Sequence, residues 1–193
     1  AAGNPRLHVV YTAEGLPILE QAGEEGGNPH VWLSPPLAMR QAERIRDALI
    51  AVDGDHRSVY EANADRYLAD LRALDEEIRG ETSTWTHRRF VAFHSAWVYF
   101  AQTYGLEQVA VIEESPGKEP SPEYIAGIVQ IIRQYDVPAV FAEVQLPTKA
   151  AEAVAAEAGV PVITLDPLGG VEGRSTYVEL LRYNVRQMAQ ALR

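Results

Sequence analysis

Four short apolar runs separated by helix-like segments constrain this chain more than any other feature of its sequence. Phe90–His94, Val109–Glu113, Ala139–Glu143 and Val162–Asp166 are rich in Val, Ile and Phe and too short for helices. Between and after them lie Ala96–Tyr104, Pro122–Tyr135, Thr148–Ala158 and Thr176–Leu192, each with helical character. A strand feeding a helix feeding another strand folds back on one sheet only through a right-handed crossover. Residues 88–193 therefore read as an α/β domain of about four parallel strands with flanking helices. The chain is long enough to close such a core, with 193 residues of which 47% are apolar.

The first part of the chain has a different texture. Leu7–Tyr11 reads as a short strand and residues 13–29 as a loop or short helix. Ser34-Pro35-Pro36 reads as a helix start, Ser34 accepting from open amides and proline occupying the first turn. Ala38, Ala42, Ile45, Leu49 and Val52 follow at helical spacing, and Asp53-Gly54-Asp55 ends the run. Between about Ser58 and Arg79, Tyr60, Ala64, Tyr67, Leu71, Leu74 and Ile78 recur at steps of 4, 3, 4, 3 and 4. This narrow stripe on a charged helix suits an element that bridges two lobes.

Each apolar run ends in an ionisable residue: His94, Glu113, Glu143 and Asp166. Open α/β sheets bind ligands outside the carboxyl ends of their strands, so one crevice would gather all four. Imidazole with carboxylate is a ligand set for zinc or a similar divalent cation. Against this stands a plainer explanation, that polar residues occupy strand ends simply because the chain emerges into water there. His94 and Asp166 lie 72 residues apart, so no short metal motif is present. His30, between a Gly-rich loop and a helix start, is a further candidate; His8, His56 and His87 have no supporting context.

Composition removes several other functions. There are 17 Lys and Arg against 27 Asp and Glu, a net charge of −10, which argues against a nucleic-acid footprint and against an anionic membrane surface. With no cysteine, disulfides, thiolate metal sites and Cys nucleophiles are excluded. No G-x-S-x-G elbow, P-loop or G-x-G-x-x-G is found, and AAGNPR lacks the apolar region of a signal peptide.

Asn28–Pro35 (NPHVWLSP) resembles the DPHVWLDP segment of zinc- and manganese-binding substrate-binding proteins of ABC transporters, the ZnuA/TroA-like family. The resemblance continues in order through Tyr60–Asn63, Phe93–Ala96 with Tyr99-Phe100, Glu119–Pro122, Phe141–Gln145, Leu165–Gly169 and Tyr177–Asn184. It implies two α/β lobes joined by one long helix, with metal held between them. The metal ligands it implies here are His30, His94 and Asp166, while Glu143 falls on a family position that is not normally a ligand, with a supporting or a structural role. Residues 1–57 would then be a remnant of the N-terminal lobe, 58–80 the connector helix and 81–193 the C-terminal lobe. Where zinc members often carry a His-rich loop, this chain has Glu24-Glu25-Gly26-Gly27, and Asn28 replaces the usual Asp. The resemblance implies a periplasmic or extracellular protein, lipid-anchored or soluble. It would be a monomer that passes Zn2+, or Mn2+, to a membrane permease, a metallochaperone being a further partner. His94 favours zinc, because imidazole suits zinc better than manganese. The rival reading is a metal-dependent hydrolase with Glu143 or Glu113 as general base.

Overall fold

The computed structural model describes residues 4, 7–20, 26–113 and 120–193. Helix α1 spans Pro35–Val52, with Ser34 at its N-cap and prolines at its first two positions. The Ser34 hydroxyl does not cap the helix as its sequence suggests; it pairs with the Thr103 hydroxyl at 2.8 Å. The proline at the first position has no N–H to satisfy, which leaves this serine available for a tertiary bond. After a single 3-10 turn, Gly54–His56, helix α2 runs from Arg57 to Ser83. Its 27 residues make it about 40 Å long at 1.5 Å per residue.

Burial along α2 begins only at Leu68. Leu68, Leu71, Leu74, Ile78 and Thr82 are buried, whereas Tyr60 and Ala64 are half-buried and Tyr67 is exposed. The first half packs against α1. The second half joins the core that lies over the sheet. The helix outlasts the expected end at Arg79 because Thr82 turns its hydroxyl back to the Ile78 carbonyl, and Trp85 buries itself just beyond.

Four strands follow: β1 Arg89–Ala92, β2 Glu107–Val111, β3 Val140–Glu143 and β4 Val162–Leu165. They form one parallel sheet in the order β2-β1-β3-β4. The connections are α3 (Val98–Tyr104), α4 (Pro122–Gln134) and α5 (Lys149–Ala158), and α6 (Tyr177–Leu192) follows β4. Side chains alternate between two cores, as period-2 strands require. Phe90, Ala92, Phe141 and Leu165 face α2, α3 and α6; Val91, Val140 and Ala142 face α4 and α5. The α/β architecture with four parallel strands and flanking helices is the one expected from the alternation.

Leu7–Tyr11 forms no strand, which corrects the sequence reading; Leu7, Val9 and Tyr11 are exposed. β-propensity needs a partner to become a ladder, and among the described residues none pairs with this segment. Glu24, Glu25 and Glu119 lie outside the described residues.

Candidate metal site

The register of the sheet levels the candidate residues. Ala92 pairs with Phe141 and Glu143 with Leu165, so β1, β3 and β4 end side by side, β3 in the middle. His94 lies two residues past β1, Glu143 ends β3 and Asp166 follows β4. Glu113, two residues past the outer strand β2, donates its N–H to the Phe93 carbonyl.

His30 arrives from another part of the chain and is strapped in place. Val31–Leu33 is one 3-10 turn with Val31 and Leu33 buried. Trp32 Nε1 donates to the Pro167 carbonyl at 3.0 Å, and the Tyr177 hydroxyl donates to the Trp32 carbonyl at 2.7 Å. Buried Asn28 donates from Nδ2 to the Ser95 carbonyl at 2.6 Å, and the Tyr99 hydroxyl donates to the Asn28 carbonyl. These bonds fix a loop histidine over the sheet edge, where the His30 and His94 rings stand edge-on with centroids 4.8 Å apart.

Both imidazoles are oriented by acceptors. His30 Nδ1 lies 3.0 Å from Asn28 Oδ1. His94 Nδ1 lies 2.9 and 3.1 Å from the two oxygens of Glu143, whose side chain is 2% exposed. Amide and carboxylate oxygens only accept, so each Nδ1 carries a proton, and Nε2 is the atom with the lone pair whenever the ring is neutral. A carboxylate behind an imidazole is the usual support of a metal-binding histidine. Burial, and then the like charge of His94, push His30 down to about 4, so it is neutral and coordination-ready at pH 7.

That shift carries a stability consequence. In the unfolded chain His30 titrates near pH ~6.5, while in the fold it titrates near about 4. Between these values the unfolded chain holds the extra proton, so folding stability falls as pH drops through this window and the His30 contribution levels off below it. In urea denaturation from pH 7 to 4, the His30→Gln variant should lose less stability than the parent; parallel losses would refute the shift.

Asp166 is placed differently. It is 1% exposed. Its Oδ1 accepts from Gln145 Nε2 at 2.7 Å, Gly169 N at 3.0 Å and Leu168 N at 3.1 Å. Its Oδ2 lies 3.1 Å from Arg174 Nη1. Burial alone would raise this carboxyl, but the bonds from Gly169, Gln145 and Leu168 and the Arg174 charge outweigh it and hold it below the usual range. Among the described residues no three of His, Asp or Glu converge closely enough to hold a metal ion. His30 and His94 adjoin, Glu143 backs His94, and Asp166 stays within its own hydrogen-bond network.

His8 is exposed, and His56 pairs with Asp53 on the surface. His87 precedes β1, at the opposite end of the sheet, where its N–H donates to the Leu192 carbonyl. Sequence reasoning missed the roles of Asn28, Gln145, Arg174 and Asn184. The first, second and last lie within the motifs quoted above, but only the fold shows what they hold.

Comparison with known proteins identifies the family. Residues 1–191 match the family model described as ZnuA, zinc-uptake complex component A periplasmic. The chain is 32% identical over 96% of its length to the manganese-binding lipoprotein MntA of Halalkalibacterium halodurans, of which it covers 63%. It is 29% identical over 96% of its length to the high-affinity zinc uptake system protein ZnuA of Bacillus subtilis, of which it covers 64%. The chain thus spans under two thirds of these curated relatives. Among solved structures, a zinc-bound deletion mutant of ZnuA superposes with a TM-score of 0.82 at 36% identity, covering 94% of this chain and 67% of that one. On a family match spanning residues 1–191, a shared fold and a matching array of motifs, the chain belongs to the ZnuA family of periplasmic zinc-uptake components.

Proposed function

We propose that this chain captures zinc at the carboxyl edge of its sheet through His30, His94 and Asp166, for delivery to an ABC-transporter permease. The observation that supports this reading best is the pair of edge-on imidazoles, each with Nδ1 held by an acceptor, which leaves Nε2 as the atom available to a metal. Two imidazoles favour zinc over manganese on grounds of ligand softness. Manganese remains the second cargo, as in the relative named manganese-binding.

In this reading α2 joins two lobes, residues 1–57 belonging to the first and 81–193 forming the second. The protein works outside the cytoplasmic membrane, in the periplasm or on a lipid anchor, as a monomer that meets the permease and a metallochaperone. Among the described residues no helix is long and apolar enough to cross a membrane. Family members are metal-binding receptors of uptake systems rather than enzymes. The hydrolase reading is not favoured: Glu143, one of its two proposed bases, is buried and committed to His94.

The test is competition between the metal-stripped chain and a chromophoric chelator. One equivalent of Zn2+ should be withdrawn from the chelator, and Mn2+ should be held at least about tenfold more weakly. A chain that withdraws no zinc would refute the proposal.

A further inference from the structure

Asp166 already has a cation. The loop after β4 folds back on itself: Gly170 N donates to the Arg174 carbonyl at 2.9 Å and Arg174 N to the Val171 carbonyl at 2.9 Å. Gly169 makes the fold-back possible, having φ +69° and no room for a side chain, since a Cβ there would lie 2.7 Å from the Arg174 carbonyl oxygen. The turn delivers the Arg174 guanidinium between the Tyr183 ring, 4.4 Å from its centroid, and Asp166 Oδ2 at 3.1 Å. Arg174 Nη1 is buried yet makes no directed hydrogen bond. It is held to Asp166 by charge rather than by the fork geometry that makes arginine–carboxylate pairs strong.

The other carboxylate oxygen is filled by three donors, so Oδ2 is the position a metal would have to take. A guanidinium and a dication cannot share it without repulsion. The geometry points to Arg174 as a positioning residue that competes with incoming metal for Asp166, latching the carboxylate in the metal-free protein and returning to it on release. The metal then binds through a minor population in which Asp166 has been let go, and its apparent affinity is reduced by that fraction. This inference rests on Asp166 being a ligand, as proposed above.

Removing the latch should tighten binding. With the released form populated at about 1–10%, Arg174→Gln should raise zinc affinity by about tenfold to a hundredfold in chelator competition. Arg174→Lys, which restores a cation without needing fork geometry, should return affinity toward the parent's. Asp166→Asn should weaken binding, and the gain from Arg174→Gln should vanish in the Arg174→Gln/Asp166→Asn double variant. An Arg174→Gln chain that binds zinc no more tightly than the parent overturns the latch, as does a gain that persists without the Asp166 carboxylate. Should Arg174→Gln melt early by circular dichroism, Arg174→Met, which keeps an apolar stem on the Tyr183 ring, must show the same tightening; parental affinity there overturns it equally. A His94→Ala control separates the two claims. If it loses zinc while the Arg174 variants gain nothing, the latch fails and the site stands; if it binds like the parent, the site itself fails.

Discussion

Replacing His94 with alanine is expected to weaken zinc binding by at least about a hundredfold, because even the residues that merely support a metal ligand typically cost ten- to a hundredfold. The substitution removes one of two adjoining imidazoles and leaves the buried Glu143 carboxylate facing a void. Isothermal titration should show the binding enthalpy largely gone. Glu143→Gln makes the informative comparison. It keeps an oxygen that can accept from His94 Nδ1 but removes the charge, so its loss should be smaller, within about ten- to a hundredfold. Equal zinc affinity in parent and His94→Ala would take His94 out of the site.

The second large effect concerns the fold. Asn184, fully buried on α6, accepts from Asp166 N at 2.8 Å and donates to the Asp166 carbonyl at 2.7 Å and the Leu180 carbonyl at 2.9 Å. It replaces the ladder partner that Asp166 loses where β4 ends. Asn184→Ala strands a buried N–H and a buried C=O and leaves a hole, at a cost of about 2–4 kcal/mol. For a chain of this size that lowers the melting temperature by about 5–15 °C in a circular dichroism scan. A shift under about 2 °C would mean that water reaches the strand end and serves both groups.

How much of this was readable in advance differs by element. The four strands declared themselves because each is a short apolar run bounded by helical segments, a local property. Their ends slipped: β1 is regular only to Ala92, although Phe93 continues the apolar run and still hydrogen-bonds to both neighbours. Leu7–Tyr11 has strand-like residues and no strand, since propensity cannot supply a neighbour. At the site, the strand-end positions of His94, Glu143 and Asp166 follow from topology alone. His30 does not; its approach to His94 depends on Asn28 reaching Ser95 and Trp32 reaching Pro167, contacts between segments far apart in sequence. The residue-by-residue reading gave Glu143 the same standing as His94, and the structure sets it behind that histidine. Arg174 was invisible because its part depends on a fold-back that Gly169 permits and no periodicity announces.

The strand order has a consequence for how the crevice comes into being. β1 and β2 are close in sequence and can pair early, but β1 must wait for β3, since Val91 pairs with Val140 across an intervening segment that holds α3, β2 and α4. Contacts of that separation lose chain entropy before they return any stabilisation, and they form late. β4 joins only by adding to β3, and the layer beneath closes when α6 brings Met188 and Leu192 against the core. A chain emerging from the ribosome or threading through a translocation pore therefore holds His30 and His94 long before the edge that would align them exists. Under the proposed reading, an ion met during that interval would encounter isolated imidazoles rather than a formed site.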